Sequence, residues 1–202
     1  MKTKVLLAPI LISLLAFTGR NPHTETYRVD PNQSTLEWNA AKVTGKHNGT
    51  IKIESGEVLN DHGQLRGTFV IDMTTIANTD LEAGESRSKL EGHLKSPDFF
   101  DVQKFPKSTF TITSFTPLTA AKDGGYTHNV KGNLTIKDKT NEISFDVIMK
   151  NEGTKLLCNG TAVVDRSKFD VRYGSKTFFD NIGDKAIYDE FTMKFGIVAD
   201  KK

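Results

Sequence analysis

"YTHNVKGNLTIKDKTNEISFDVIM", residues 126–149, holds two runs that alternate with a period of two around a short polar turn. In the first run Tyr126, Val130, Leu134 and Ile136 share one face, opposite Thr127, Asn129, Lys131 and Asn133. In the second, Ile143, Phe145, Val147 and Met149 fall together. Side chains of a strand point alternately to opposite faces, so this pattern predicts paired antiparallel strands with one apolar and one polar side. The joint at "KDKTN" (137–141) is rich in turn formers and short, which favours neighbours over crossovers.

The same alternation recurs outward in both directions. "LRGTFVIDM" (65–73) places Leu65, Phe69, Ile71 and Met73 on one side, and "IYDEFTMKFGIVA" (187–199) does so with Ile187, Phe191, Met193, Phe195 and Ile197. Weaker versions surround Trp38, Ile51 and Ile53, Phe110 and Ile112, and Cys158. The total is about eight strands, which argues for an all-β, eight-stranded antiparallel barrel or a two-sheet sandwich. The inward set is large: Trp38, Phe69, Phe110 and Tyr126, then Phe145, Phe191 and Phe195. Rings of this size either fill a barrel or line an apolar slot, and periodicity alone leaves both open.

One segment departs from the pattern. In "TDLEAGESRSKLEGHLKS", Leu90 and Leu94 stand at i, i+4, Thr79 with Glu82 fits a capping box, and Pro97 ends the run near Lys95 or Ser96. This predicts a short helix in one connection, lying across a barrel mouth. It leads into "SPDFFDVQKFP", where Phe99 and Phe100 sit in a turn and either plug a core or line an apolar entrance.

The composition, 37% hydrophobic and 26% charged, is that of a folded chain rather than a disordered one. The N-terminus pairs Lys2 and Lys4 with an uncharged apolar run over 5–17, a secretory signal too short to span a bilayer, with cleavage expected between Thr18 and Asn21. Residues 1–20 are thus expected to be a leader and 21–202 the exported domain. Arg20 stands where a lipoprotein would need cysteine, so lipid attachment there is not expected. Losing the leader removes three basic residues and no acid, which takes the formal charge from +2 to −1. No basic stripe interleaved with aromatics is present, which argues against nucleic-acid binding.

Cys158 is the only cysteine and reads as a small buried hydrophobe. The five histidines lack metal-ligand spacing, and no nucleophile–base motif occurs, so neither a metal, a cofactor nor a catalytic residue is expected. His93 and His128 are the candidates if the barrel instead works as an enzyme on an apolar substrate. Arg166, in "VDRSKFDVRYGSKTFFDN", either pairs with internal acids or meets an anionic head group at the mouth.

Four stretches in order, "YRVDPNQSTLEW" (27–38), "HLKSPDFFDVQKFPKSTFTI" (93–112), "VKGNLTIKDKTNEISFDV" (130–147) and "VVDRSKFDVRYGS" (163–175), resemble the YceI-like family of exported, polyisoprenoid-binding bacterial proteins. The chain departs from the family pattern at Gln33, often histidine there, and at Asp138 and Asp170, often glycine. The resemblance implies a lipocalin-like barrel whose apolar cavity holds an isoprenoid chain, with the Phe-rich turn in its wall or rim. Expected ligand contacts are the inward rings above together with Phe99, Phe100, His93 and Arg166. The expected function is non-catalytic carriage of a polyisoprenoid or isoprenoid quinone. A surface interaction module with a filled core is the other alternative. Peripheral membrane association, and a monomer or a homodimer, stay open.

Overall fold

The computed structural model describes residues 24–119 and 124–202; the expected leader, Arg20 and the expected cleavage region lie outside the described residues. Within them the chain runs β1 (Thr24–Val29), β2 (Thr35–Lys42), β3 (Gly45–Asp61), β4 (Gln64–Asn78), α1 (Glu85–Lys95), β5 (Lys107–Pro117), β6 (His128–Ile136), β7 (Lys139–Asn151), β8 (Lys155–Asp165) and β9 (Glu190–Lys201). All neighbours are antiparallel, and β3–β4 and β2–β9 pairings close the sheet into a barrel.

Nine strands occupy eight staves. The segments β1 and β2 follow one another in the same gap, because both pair with β3 and with β9. What divides them is "DPNQS". Pro31 has no N–H to give a ladder, and the Asp30 carboxylate accepts the Asn32 N–H at 2.8 Å, an Asx turn that lifts the chain out. Ser34 then rejoins the sheet with its hydroxyl, which takes the Val198 N–H at 3.0 Å. Gln33 donates to the Asp30 carboxylate, so at this position the side chain serves the turn.

The hairpin that opened the sequence reading forms with Ile136 opposite Lys139. Its left-handed residue is Lys137 (φ 57°), not Asp138. Asp170 does take a positive φ, 58°, and ends the 3₁₀ turn Arg166–Phe169.

Helix α1 ends at Lys95 as its Pro97 signal implies, but it begins at Glu85 with Gly84 as cap and no side-chain capping bond. The Thr79–Glu82 capping box therefore does not form. Its residues are drawn elsewhere: Thr79 takes the Asn48 side-chain amide at 3.0 Å, and Asp80 takes the Asn48 N–H at 2.8 Å. Desolvation pushes the Asp80 carboxyl up, but the Asn48 N–H and the side chains of His47 and Asn78 together outweigh it and hold the group down at about 2. Buried Asn78 donates its own N–H to Glu91 at 2.8 Å, and this ties α1 to β4.

The two ends of the barrel differ. One is closed by a solid cluster around fully buried Tyr27 and Val147, with Val29, Phe115 and Val130. The Tyr27 hydroxyl donates to Glu25 at 2.8 Å, so the plug carries no unsatisfied polar atom. His128 belongs to this end, its ring 4.5 Å from Phe115. Burial lowers its pKa. The opposite end carries α1 and the long segment between β8 and β9.

Candidate functional site

Above the Tyr27 plug the barrel is hollow. A cavity of about 240 Å³ runs toward the α1 end. The inward residues at mid-height, Phe69, Ile71, Phe145 and Phe195 among them, are only half-buried although they face the interior. Their accessible surface is the cavity wall itself.

Why the rings leave a lumen is answered by glycine. Three inward rings lie directly across the ladder from a glycine: Trp38 from Gly49, Phe69 from Gly56, and Phe195 from Gly160. A Cβ built on Gly160 would come within 2.6 Å of the Phe195 ring, and one on Gly49 within 2.6 Å of Trp38. Phe110 lies over Gly132 diagonally, where a Cβ would meet its ring at 2.3 Å. Each ring is therefore laid back against backbone instead of projecting across the barrel. The rings then run along the wall, Phe69 to Phe110 at 6.3 Å, Phe110 to Phe145 at 5.5 Å, and Phe145 to Phe195 at 5.4 Å.

The mouth is built from the Phe-rich turn. After α1 the chain wraps back on the helix end: Phe100 and Val102 donate their N–H groups to Leu94 and Lys95. This wrap turns Phe99 and Phe100 inward, 5.0 Å apart and edge to face, to line the cavity with Leu94. The aromatic surface in that turn is thus cavity wall.

Arg166 also borders the cavity and is 2% exposed. Four of its five N–H donors are hydrogen-bonded to backbone carbonyls. Nε donates to Tyr188 O at 3.2 Å, and Nη1 donates to Val171 O at 2.9 Å and Tyr173 O at 2.8 Å. Nη2 donates to Ile187 O at 3.0 Å and sits 3.2 Å from the Asp189 carboxylate. The flat side of the guanidinium covers Phe99 at 5.4 Å. Of the two roles open from sequence, internal pairing is the one the geometry fills, with the remaining Nη2 hydrogen beside the Asp189 carboxylate. Burial lowers the Arg166 pKa, against the opposing pull of Asp189. Ser108, the other buried polar side chain on the wall, donates to Thr135 O at 2.6 Å.

Of the residues expected at the site, Trp38, Phe69, Phe110, Phe145, Phe191 and Phe195 line the cavity, as do Phe99, Phe100 and Arg166. Tyr126 does not. It precedes the first residue of β6, His128, so the alternation that assigned it inward had been carried past the strand's end. His93 stands behind the wall, its ring 5.7 Å from Phe99 and 4.3 Å from Tyr173. Its Nε2 is buried without a hydrogen-bond partner. Sequence reasoning that looked for rings passed over the aliphatic share of the wall, such as Leu36, Ile53, Met73, Leu134 and Ile143. Their signal was present in the same period-two faces.

Cys158 lies on the inner face of β8 beside this wall, and burial pushes its thiol up to about 12. The thiolate is the reactive form. Cys158 in the native protein is therefore expected to resist a water-soluble disulfide reagent at neutral pH and to react at once in denaturant. Fast native labelling would show that the lumen is wet.

A family model, the YceI-like domain, matches residues 27–199. A UPF0312 protein of Staphylococcus aureus is 30% identical over 161 residues, which is 73% of this chain and 82% of that one. Among solved structures, Burkholderia cenocepacia BcnA superposes with a TM-score of 0.65 at 23% identity, over 84% of this chain and 98% of its own. A polyisoprenoid binding domain from Saccharophagus degradans gives 0.60 at 14% identity, over 87% and 98%. Both have the fold described above. By the extent of the family match, this chain belongs to the YceI-like domain family.

Proposed function

We propose that the protein is a non-catalytic carrier that holds the apolar chain of an isoprenoid lipid, a polyisoprenoid or an isoprenoid quinone, inside the barrel. The observation that carries this reading is a hollow, apolar wall whose two buried polar members, Ser108 and Arg166, hydrogen-bond to backbone carbonyls, while the Tyr188 ring stands at the exposed rim. A cavity of that chemistry has nothing to offer a charged or strongly polar ligand and holds water poorly. An extended hydrocarbon suits it, since each methylene withdrawn from water contributes about 0.8 kcal/mol. The description of the Saccharophagus degradans domain as polyisoprenoid binding supports the same ligand class. The basic, apolar leader over residues 1–20 supports a periplasmic place of work.

Phe145 is the test position, because its ring touches both Phe110 and Phe195 at the centre of the wall. Phe145→Lys is expected to weaken geranylgeraniol binding by at least about tenfold, since a charge in an apolar lumen must be desolvated or drag water in. A folded Phe145→Lys protein with unchanged affinity would rule the lumen out as the binding site.

A further inference from the structure

We infer that the aromatic rim around the mouth seats on an anionic lipid surface and so presents the cavity to the membrane. Of the seven large hydrophobic side chains exposed among the described residues, five cluster here: Val43, Tyr173, Phe178, Phe179 and Tyr188. They lie on the β2–β3 turn and the β8–β9 segment, which are stitched together: Val43 N–H donates to Ala186 O at 3.1 Å and Tyr188 N–H to Ala41 O at 3.0 Å. The exposure is held in place. Buried Arg166 grips the backbone carbonyls of Tyr173 and Tyr188 themselves, and the Tyr173 ring rests on His93 at 4.3 Å.

Two observations choose the occupant. The first is charge. Lys42, Lys46, Lys168, Lys176 and Lys185 are exposed on these two loops or at the ends of the strands that carry them, and they form no ion pair among the described residues. Asp170 and Asp189 are taken by Arg172 and Arg166, which leaves Asp180, Asp184 and, at the strand ends, Asp165 and Glu190. On these two loops the free lysines outnumber the free acids by one, whereas the chain beyond residue 20 has a formal charge of −1. Rings with polar tips beside lysines match a headgroup layer of anionic lipid, in which each basic side chain contributes about 1 kcal/mol and salt weakens the sum.

The second observation is continuity. Tyr188 is 54% exposed and also lines the cavity, with Ile187 beside it, so an apolar path leads from the rim into the lumen. This inference rests on the reading that the lumen takes a lipid, because a seated mouth lets the chain enter without crossing water. No helix among the described residues is long and apolar enough to cross a membrane, so docking through this rim is peripheral.

Barrel closure uses only residues within 24–201, so the test can use both the full chain and residues 21–202. Each is sedimented with vesicles of phosphatidylcholine, alone or mixed with phosphatidylglycerol, beside the double variant Phe178→Asp/Phe179→Asp. Neither phenylalanine lines the cavity. The 21–202 protein is expected to bind the anionic vesicles, less so in high salt. The double variant should lose about tenfold in vesicle binding while its geranylgeraniol affinity in solution stays within about twofold. Vesicle binding that the double substitution leaves unchanged would overturn the proposal. So would no vesicle binding by 21–202 with geranylgeraniol binding intact, and so would a dimer that the substitution dissolves without any vesicle binding. Vesicle binding that follows this pattern without any geranylgeraniol binding would support the rim and count against the lumen instead.

Discussion

Replacing Arg166 with methionine is expected to lower the unfolding free energy by about 3–5 kcal/mol, the range for stripping one partner from a buried ionic network. The melting temperature should fall by roughly 6–20 °C. The reason is the number of acceptors. Four backbone carbonyls, of Val171, Tyr173, Ile187 and Tyr188, and the Asp189 carboxylate all converge on this one side chain. Methionine fills the space and satisfies none of them. Lysine offers three donors from a single point, so Arg166→Lys should still cost about 2–4 kcal/mol through acceptors left unmet. Amide exchange in 171–189 should accelerate in both variants before the barrel strands respond. Thermal melts of both variants within 1 °C of wild type would show that the segment is held by something other than the guanidinium.

Gly160→Ala is expected to narrow the lumen without dissolving the fold. The added methyl would stand 2.6 Å from the Phe195 ring and 3.1 Å from the Asp146 carbonyl and Val147. Of these the ring is free to swing, and the open direction is the cavity. Overpacking of this kind costs about 1–3 kcal/mol in stability. A ring edge advanced into the lumen displaces one or two ligand methylenes, so geranylgeraniol affinity should fall by roughly 4- to 15-fold. Adding Phe195→Leu to Gly160→Ala should restore most of that affinity, because the smaller side chain vacates the volume the ring had taken. Unchanged affinity in Gly160→Ala, or no recovery in the pair, would mean that the glycines do not set the width of the site.

Much of this architecture was legible from residues alone, because burial of one face per strand writes itself as alternation. Phe69, Phe110, Phe145 and Phe195 were assigned inward on that pattern and do line the cavity. The same logic failed at Tyr126, where the alternating residues continue for two positions beyond the ladder. The interruption at Pro31 splits one stave into β1 and β2. That the chain re-enters the same stave afterwards depends on β3 and β9, which are long enough to pair with both halves.

The role of the glycines was hidden for a related reason. Gly160 matters through Phe195 and Gly49 through Trp38, and these partnerships exist only once the register is set. Arg166 was ambiguous because its partners are main-chain carbonyls 5 to 22 residues further on, which no side-chain pattern announces. The Thr79–Glu82 capping signal was genuine as a pattern, but tertiary bonds to Asn48 claimed its surroundings first.

The central claim is that the lumen carries an isoprenoid chain. Its most direct test is native mass spectrometry of residues 21–202 recovered from a bacterial periplasm without detergent, followed by solvent extraction of any adduct. The account predicts a bound species of defined mass that fragments as a polyprenyl lipid or quinone and is lost in Phe145→Lys. A clean apo mass that stays unchanged after incubation with polyprenols and quinones would contradict it.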